Sequence, residues 1–362
     1  MDFGFTPEQE MLRDAARKFL AAEYPPSIAR TAMDTADAHD TARWRALAEL
    51  GWLGILVPAD LGGQGGAFLD MAVVLEESGK ALVPGPFLAS AVLATAALRD
   101  AGTPAQRERL LPALAAGERV ATVALGIAGE PAGVTLTADG RATGQTAFVM
   151  DAQPADVLVI AARGSDGAPM LVLVERGAAG LTVTPLHTVD MTRRLCTVAL
   201  HDVVGEPLSG GEAAGVIRRL REHACAGLAL ELVGVGQRAL EMSVAYALER
   251  TQFGRPIGSF QAIKHKCVDM MVQVETARSL AYYAAWAVSE DAPDAGRAAA
   301  MAKAYAGEMA KTVTSEAIQV HGGIGFTWEH DLHLYYRRAL AADAAFGAAP
   351  THRETIVAPL VR

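Results

Sequence analysis

The sequence predicts a mainly α protein with a central β domain: an N-terminal α-helical domain, a small antiparallel β-barrel and a C-terminal four-helix bundle. Three observations point there. Apolar residues recur with a helical period up to about Ala116; short β-branched runs separated by Gly, Asp and Pro follow; from about Glu212 the helical period returns and persists. The expected boundaries are residues 1–116, 117–208 and 209–362.

The first helix is signalled by Thr6-Pro7-Glu8-Gln9, a capping box with Pro at the first helical position. Behind it Met11, Leu12, Ala15, Ala16, Phe19 and Leu20 share one face. A second helix runs from about Asp40 to Leu50 and stops at Gly51, ahead of the turn-rich loop Val57–Gly66. Leu69–Lys80, Pro86–Ala101 and Thr103–Leu114 are helical by period. Val120–Leu125, Thr146–Met150, Val157–Ala162, Met170–Val174, Leu181–Pro185 and Thr197–Leu200 read as strands of a small barrel or sandwich. Long helices over Ala224–Arg250, Ile263–Ser289 and Ala295–His321, with Trp328–Ala342 and Arg353–Val361, describe an up-and-down bundle.

Composition narrows the function classes. With 362 residues, 51% of them hydrophobic, the chain can bury a substantial core. The net charge of −9 and the absence of a basic stripe argue against a nucleic-acid partner. Cys196, Cys225 and Cys267 have neither pairing nor metal-ligand spacing, and read as thiols of a reducing compartment. The acidic start lacks an apolar secretion segment, and Gly85–Leu98 is too short and Ala-rich to span a membrane, so a cytoplasmic location is expected.

Two stretches in the C-terminal region carry chemistry. In Arg250-Thr251-Gln252-Phe253-Gly254-Arg255-Pro256-Ile257-Gly258-Ser259-Phe260-Gln261, Arg250 closes a long helix, and its guanidinium fork suits a pyrophosphate. Phe253 sits three residues later in a turn, where an aromatic face can cover an adenosine. In Gln319-Val320-His321-Gly322-Gly323-Ile324-Gly325-Phe326, Gly322 and Gly323 allow close backbone approach to a phosphate or ribose, and Gln319 adds an amide. Either stretch alone is equally a helix C-cap and a Gly-rich turn.

Together with Trp44, Leu47–Trp52, Val57-Pro58, Leu61–Gly65 and Leu75–Gly79, these stretches make the whole chain resemble the acyl-CoA dehydrogenase family. The resemblance implies FAD as cofactor, with Arg250, Phe253, Gln319, Gly322 and Gly323 gripping the adenosine-pyrophosphate half of a flavin held mainly by another subunit. It implies α,β-dehydrogenation of an acyl-CoA thioester, an oligomer, and electron-transfer flavoprotein as acceptor.

The family's catalytic carboxylate occupies one of two slots. By the resemblance, one falls on Phe346, ahead of Gly347, and the other on Ala224, ten residues before Gly234 and followed by Cys225. Neither slot holds a carboxylate. Asp343 is the weak substitute candidate, while Glu222 points about 200° away from the helix slot. Each of these acids, and Glu231, is more simply explained by a structural role. The barrel also departs from the family pattern: Ala124–Pro131 and Gln145–Asp151 lack several of its hydrogen-bonding side chains.

The resemblance therefore implies a subunit that completes the FAD site of a paralogous partner in an α2β2 tetramer, the partner supplying the base. Phe260–His265 and Asp190–Arg194 resemble the bacterial branch acting on CoA thioesters of steroid side chains. Two alternatives stay open: a self-sufficient homotetrameric dehydrogenase with an unusual base, and a reduced-flavin monooxygenase of the same fold.

Overall fold

A computed structural model of the chain describes residues 4–126 and 133–358. Its helices in chain order are α1 (Pro7–Glu23), α2 (Pro26–Asp34), α3 (Thr41–Glu49), α4 (Phe68–Lys80), α5 (Thr95–Ala101) and α6 (Pro104–Ala115). After the β region come α7 (Ala213–Glu249), α8 (Gln261–Ser289), α9 (Ala295–His321), α10 (Leu332–Ala344) and α11 (Ala349–Val357). The strands are β1 (Ala121–Ala124), β2 (Gly133–Leu136), β3 (Arg141–Met150), β4 (Val157–Gly164), β5 (Pro169–Glu175), β6 (Leu181–Pro185), β7 (Leu195–Val204), β8 (Glu206–Pro207), β9 (Thr251–Gln252) and β10 (Arg255–Pro256).

Local chemistry accounts for most ends. The capping box of α1 is formed: Gln9 N donates to Thr6 Oγ1 at 3.2 Å and Thr6 N to Gln9 Oε1 at 3.1 Å. Thr103 and Gln106 repeat it on α6. Ahead of α5 the chain winds as a π-helix over Phe87–Ala94, every residue buried. A helical period is visible there in the sequence; the wider turn is not. Five short elements are not read in advance: α2, β2, and the two-residue strands β8, β9 and β10.

The chain divides into two compact units. One gathers Met1–Ala29, Ala72–Val83 and Cys225–Arg362. In it α9 packs on α8, α10 and α11. Two close approaches join α4 to α7: a Cβ on Gly79 would lie 2.1 Å from the Glu231 carbonyl oxygen, and one on Gly234 2.0 Å from that of Glu76. Only glycine fits where two backbones touch. α7 begins eleven residues before the expected Ala224. Its first turns bury Val216 and Leu220 and expose Ala214 and Arg218, continuing the helical period that returns at about Glu212, and from Glu222 to Gly236 it is buried on every side. In this unit Glu76 accepts from Arg278 Nε at 2.9 Å and from Tyr282 Oη at 2.7 Å.

The other unit gathers Arg30–Met71 and Pro84–Ala224. Its sheet runs β6-β7-β3-β2-β4-β5-β8, with β1 also on β4, and curls into a half-barrel. The expected antiparallel barrel is thus present with two parallel pairings, β1–β4 and β2–β4. β4 makes this possible by giving its first half to β1 and its last two residues to β2. Leu158, Ile160, Val172, Val174, Val198 and Leu200 fill the interior. Among the described residues no helix is long and apolar enough to cross a membrane.

Candidate functional site

Arg250 follows the last residue of α7 directly. Its backbone N–H donates to Tyr246 at 2.8 Å and its carbonyl accepts from Ile257 at 2.8 Å, which pins it at the root of the β9–β10 hairpin. The hairpin tip is Phe253 (φ 53°) and Gly254 (φ 77°), two left-handed residues as a two-residue primed turn requires. Asn or Gly ordinarily takes the first tip position, because a side chain there strains the backbone by about 1 kcal/mol. Here it is Phe, 93% exposed. Arg255 lies 4.2 Å above the Phe260 ring, whereas the Arg250 guanidinium makes no ion pair or hydrogen bond among the described residues.

α9 ends beside this hairpin's helix. His321, its last residue, stacks on Tyr246 with centroids 4.4 Å apart, and its Nδ1 lies 2.8 Å from the Ala317 carbonyl. His330 continues the row at 4.7 Å. Tyr246 is one turn before Arg250, and His321 is two residues after Gln319. This stack therefore joins the two helix ends that bear the motif residues. Neither Tyr246 nor His321 stands out in the sequence as a site residue; the His inside the Gly-rich motif is the only signal.

Gln319, Gly322 and Gly323 are exposed. Gly322 is left-handed (φ 65°), and a Cβ on either glycine would meet nothing within 4 Å. The C-terminal pole of α9 disfavours an anion, so positive charge must come from elsewhere, and Arg250 is the available cation. An unpaired guanidinium, a bare aromatic face and an open glycine cradle fit a ligand with a pyrophosphate and a planar base. Ile324, Phe326 and Trp328 add exposed apolar surface beside the cradle.

Neither position expected for the base, Ala224 or Phe346, is a carboxylate. Ala224 is fully buried in α7, between buried His223 and Cys225. Phe346 is half-buried in the turn after α10 and left-handed (φ 55°). Asp343, the substitute candidate, is committed: Oδ2 accepts from Lys311 Nζ at 2.6 Å, and Oδ1 is packed where a Cβ on Gly307 would lie 2.1 Å away. Glu222 accepts from Arg218 at 2.8 Å. Sequence reasoning missed Lys303, which is fully buried behind the Phe346 turn; a lone Lys in the Ala-rich run Ala298–Ala306 was its signal.

In the half-barrel, Ile127–Ala132 lies outside the described residues, which takes in much of the Ala124–Pro131 segment. The Gln145–Asp151 segment contains a β-bulge between Thr146 and Val149. The bulge turns out Phe148, left-handed (φ 58°) and 56% exposed. Elsewhere, a cleft of about 220 Å³ is lined by Arg17, Tyr24, Glu77, Lys80 and Arg238. Two of its cations are already paired, Arg17 with Glu77 at 2.7 Å and Lys80 with Glu241 at 2.6 Å.

Comparison with known proteins adds the following. Residues 6–118 match the model of the acyl-CoA dehydrogenase N-terminal domain, and residues 215–360 that of the acyl-CoA dehydrogenase C-terminal domain. The acyl-CoA dehydrogenase IpdE2 of Mycolicibacterium smegmatis is 36% identical over 92% of each chain. Among solved structures, the ChsE4–ChsE5 complex from Mycobacterium tuberculosis superposes with a TM-score of 0.92 at 30% identity, over 100% of this chain and 99% of that one. The Tcur3481–Tcur3483 steroid ACAD, solved as a variant, does so with a TM-score of 0.90 at 30% identity over 98% of both.

Proposed function

The chain belongs to the acyl-CoA dehydrogenase family, and we propose that it serves there as a subunit which completes the FAD site of a paralogous partner while lacking a catalytic base of its own. The single observation behind this is an asymmetry. The surface around Arg250, Phe253, Gln319, Gly322 and Gly323 is exposed and open, whereas the base slots hold Phe346 and Ala224. Two similar structures are complexes of, or named for, two different chains, ChsE4–ChsE5 and Tcur3481–Tcur3483, which favours an α2β2 tetramer. The second is titled a steroid ACAD, which favours the CoA thioester of a steroid-derived acid as substrate.

Bound there, FAD would supply the acceptor for the hydride that leaves the β-carbon of the acyl chain. Arg250 would neutralise its pyrophosphate with a forked pair of donors. Phe253 would cover the adenosine, Gln319 would offer an amide, and Gly322 and Gly323 would let backbone come close. In this reading a carboxylate of the partner would remove the α-proton, and an electron-transfer flavoprotein would accept the electrons. Self-sufficient catalysis through Asp343 would require that carboxylate to leave Lys311 and its seat on Gly307.

The test is to purify the chain alone and together with its paralogue, and to read flavin absorbance and bleaching by acyl-CoA. The expected result is little flavin alone and about one FAD per partner chain in the complex. One FAD per chain in the isolated protein, bleached by acyl-CoA, would overturn the proposal.

A further inference from the structure

Lys303 is the most deeply buried cation of the C-terminal unit, with 0% of its surface exposed. Burying an ammonium is costly unless its protons are satisfied, and an apolar residue of the same volume would avoid that cost. Its Nζ donates to the Asp343 carbonyl at 2.8 Å and to the Gly347 carbonyl at 3.1 Å. These are the open carbonyl end of α10 and the end of the turn after it, where no helical donor remains.

Directly before Gly347 stands Phe346, held in the left-handed region that Gly normally takes after a helix. A non-Gly residue keeps such a conformation only where its surroundings over-determine it. Three contacts do so here. Gly347 N donates to Ala344 O at 3.3 Å, His352 Nε2 lies 2.9 Å from the Gly347 carbonyl, and Lys303 clasps the same carbonyl from the bundle interior.

We infer that Lys303 is a positioning residue: its ammonium ties the end of α10 to the Ala345–Gly347 turn and thereby sets where the Phe346 ring stands. That Phe346 then forms a wall at the acyl end of the site rests on the proposed function; the anchoring does not. The groups facing Lys303 are Cys225 of α7, Asp343 of α10, Lys311 of α9 and His352 of α11. Burial brings its pKa down to about 8, against the pull of Cys225 and Asp343. An amine so placed keeps its donor bonds in either protonation state.

The experiment is hydrogen–deuterium exchange on the complex carrying Lys303→Met, alongside KM and kcat for acyl-CoA. Exchange in residues 344–350 is expected to rise about tenfold or more, the worth of a hydrogen bond to a charged donor. Protection of α8 and the middle of α9 should be retained, and KM should rise with kcat little changed. Adding Phe346→Gly, which removes the left-handed strain, should restore much of the protection of the turn. Unchanged exchange at 344–350 would overturn the inference, and so would loosening spread evenly over α9 and α10. If Lys303→Met does not fold, Lys303→Gln keeps one donor and is read by the same local-against-uniform criterion. A local exchange effect without any effect on KM would leave the anchor standing and remove only Phe346's place at the acyl end.

Discussion

The Lys311 ammonium lies 2.6 Å from Asp343 Oδ2, an ion pair that gives this carboxylate a structural role. A general base needs a free lone pair facing the substrate's α-proton. Asp343 has Oδ2 in an ion pair, and its Oδ1, though without a hydrogen-bond partner among the described residues, is buried against Gly307 of α9.

Asp343→Asn therefore tests structure rather than catalysis. It should lower stability by about 1–2 kcal/mol through the weakened pair with half-exposed Lys311. The kcat of the folded complex and its pH profile should stay within about twofold, since no catalytic proton is moved. Denaturant unfolding and a pH–rate profile measure the two parts separately.

Arg250→Ala and Phe253→Gly should separate binding from folding. Arg250 has no side-chain partner among the described residues, so its loss should leave the melting temperature unchanged. Flavin affinity of the complex should fall about tenfold to a hundredfold, the worth of a charge-assisted contact. Phe253→Gly should even stabilise the hairpin by about 1 kcal/mol while weakening flavin retention. Calorimetry paired with flavin titration reads both signs.

Gly234→Ala should destabilise in spite of alanine's better helix propensity. The new Cβ would stand 2.0 Å from the Glu76 carbonyl oxygen, backbone against backbone, with no side chain able to yield. A net loss of about 2 kcal/mol or more is expected in urea unfolding, overpacking outweighing a propensity gain of about 1 kcal/mol.

His223 should make stability fall on mild acidification. It is buried, its ring against Phe68 and its Nδ1 2.8 Å from the Arg219 carbonyl, and burial draws its pKa from 6.5 down to about 4. The unfolded chain thus binds a proton between those values that the folded chain refuses. The neutral histidine costs nothing above pH 6.5; stability is lost as pH falls from 6.5 toward 4, by roughly 3 kcal/mol at most. His223→Phe should flatten this part of the stability–pH curve.

Much of the architecture was legible because it rests on local signals. The Thr6–Gln9 box, the Gly51 stop, the strand runs and the periods of α8 and α9 each state themselves within a few residues. The first turns of α7 carry a one-sided pattern, with Val216 and Leu220 buried and Ala214 and Arg218 exposed, so the helical period that returns at about Glu212 belongs to α7 itself and not to a segment ahead of it. The parallel pairings of β1 and β2 with β4 were hidden, because strand partnership is a long-range choice.

At the candidate site the division is similar. The residue types of the exposed surface, from Arg250 to the Gly322–Gly323 pair, follow from sequence alone, as does the lack of a carboxylate at Phe346 and Ala224. Only the tertiary structure decided that Tyr246 and His321 stack to bring the two motifs to one place. It also decided that Asp343 is bound to Lys311 and that Lys303 holds the turn of Phe346 from within. A motif is a property of neighbours along the chain. Burial, pairing and strain depend on neighbours in space, which no local stretch of sequence specifies.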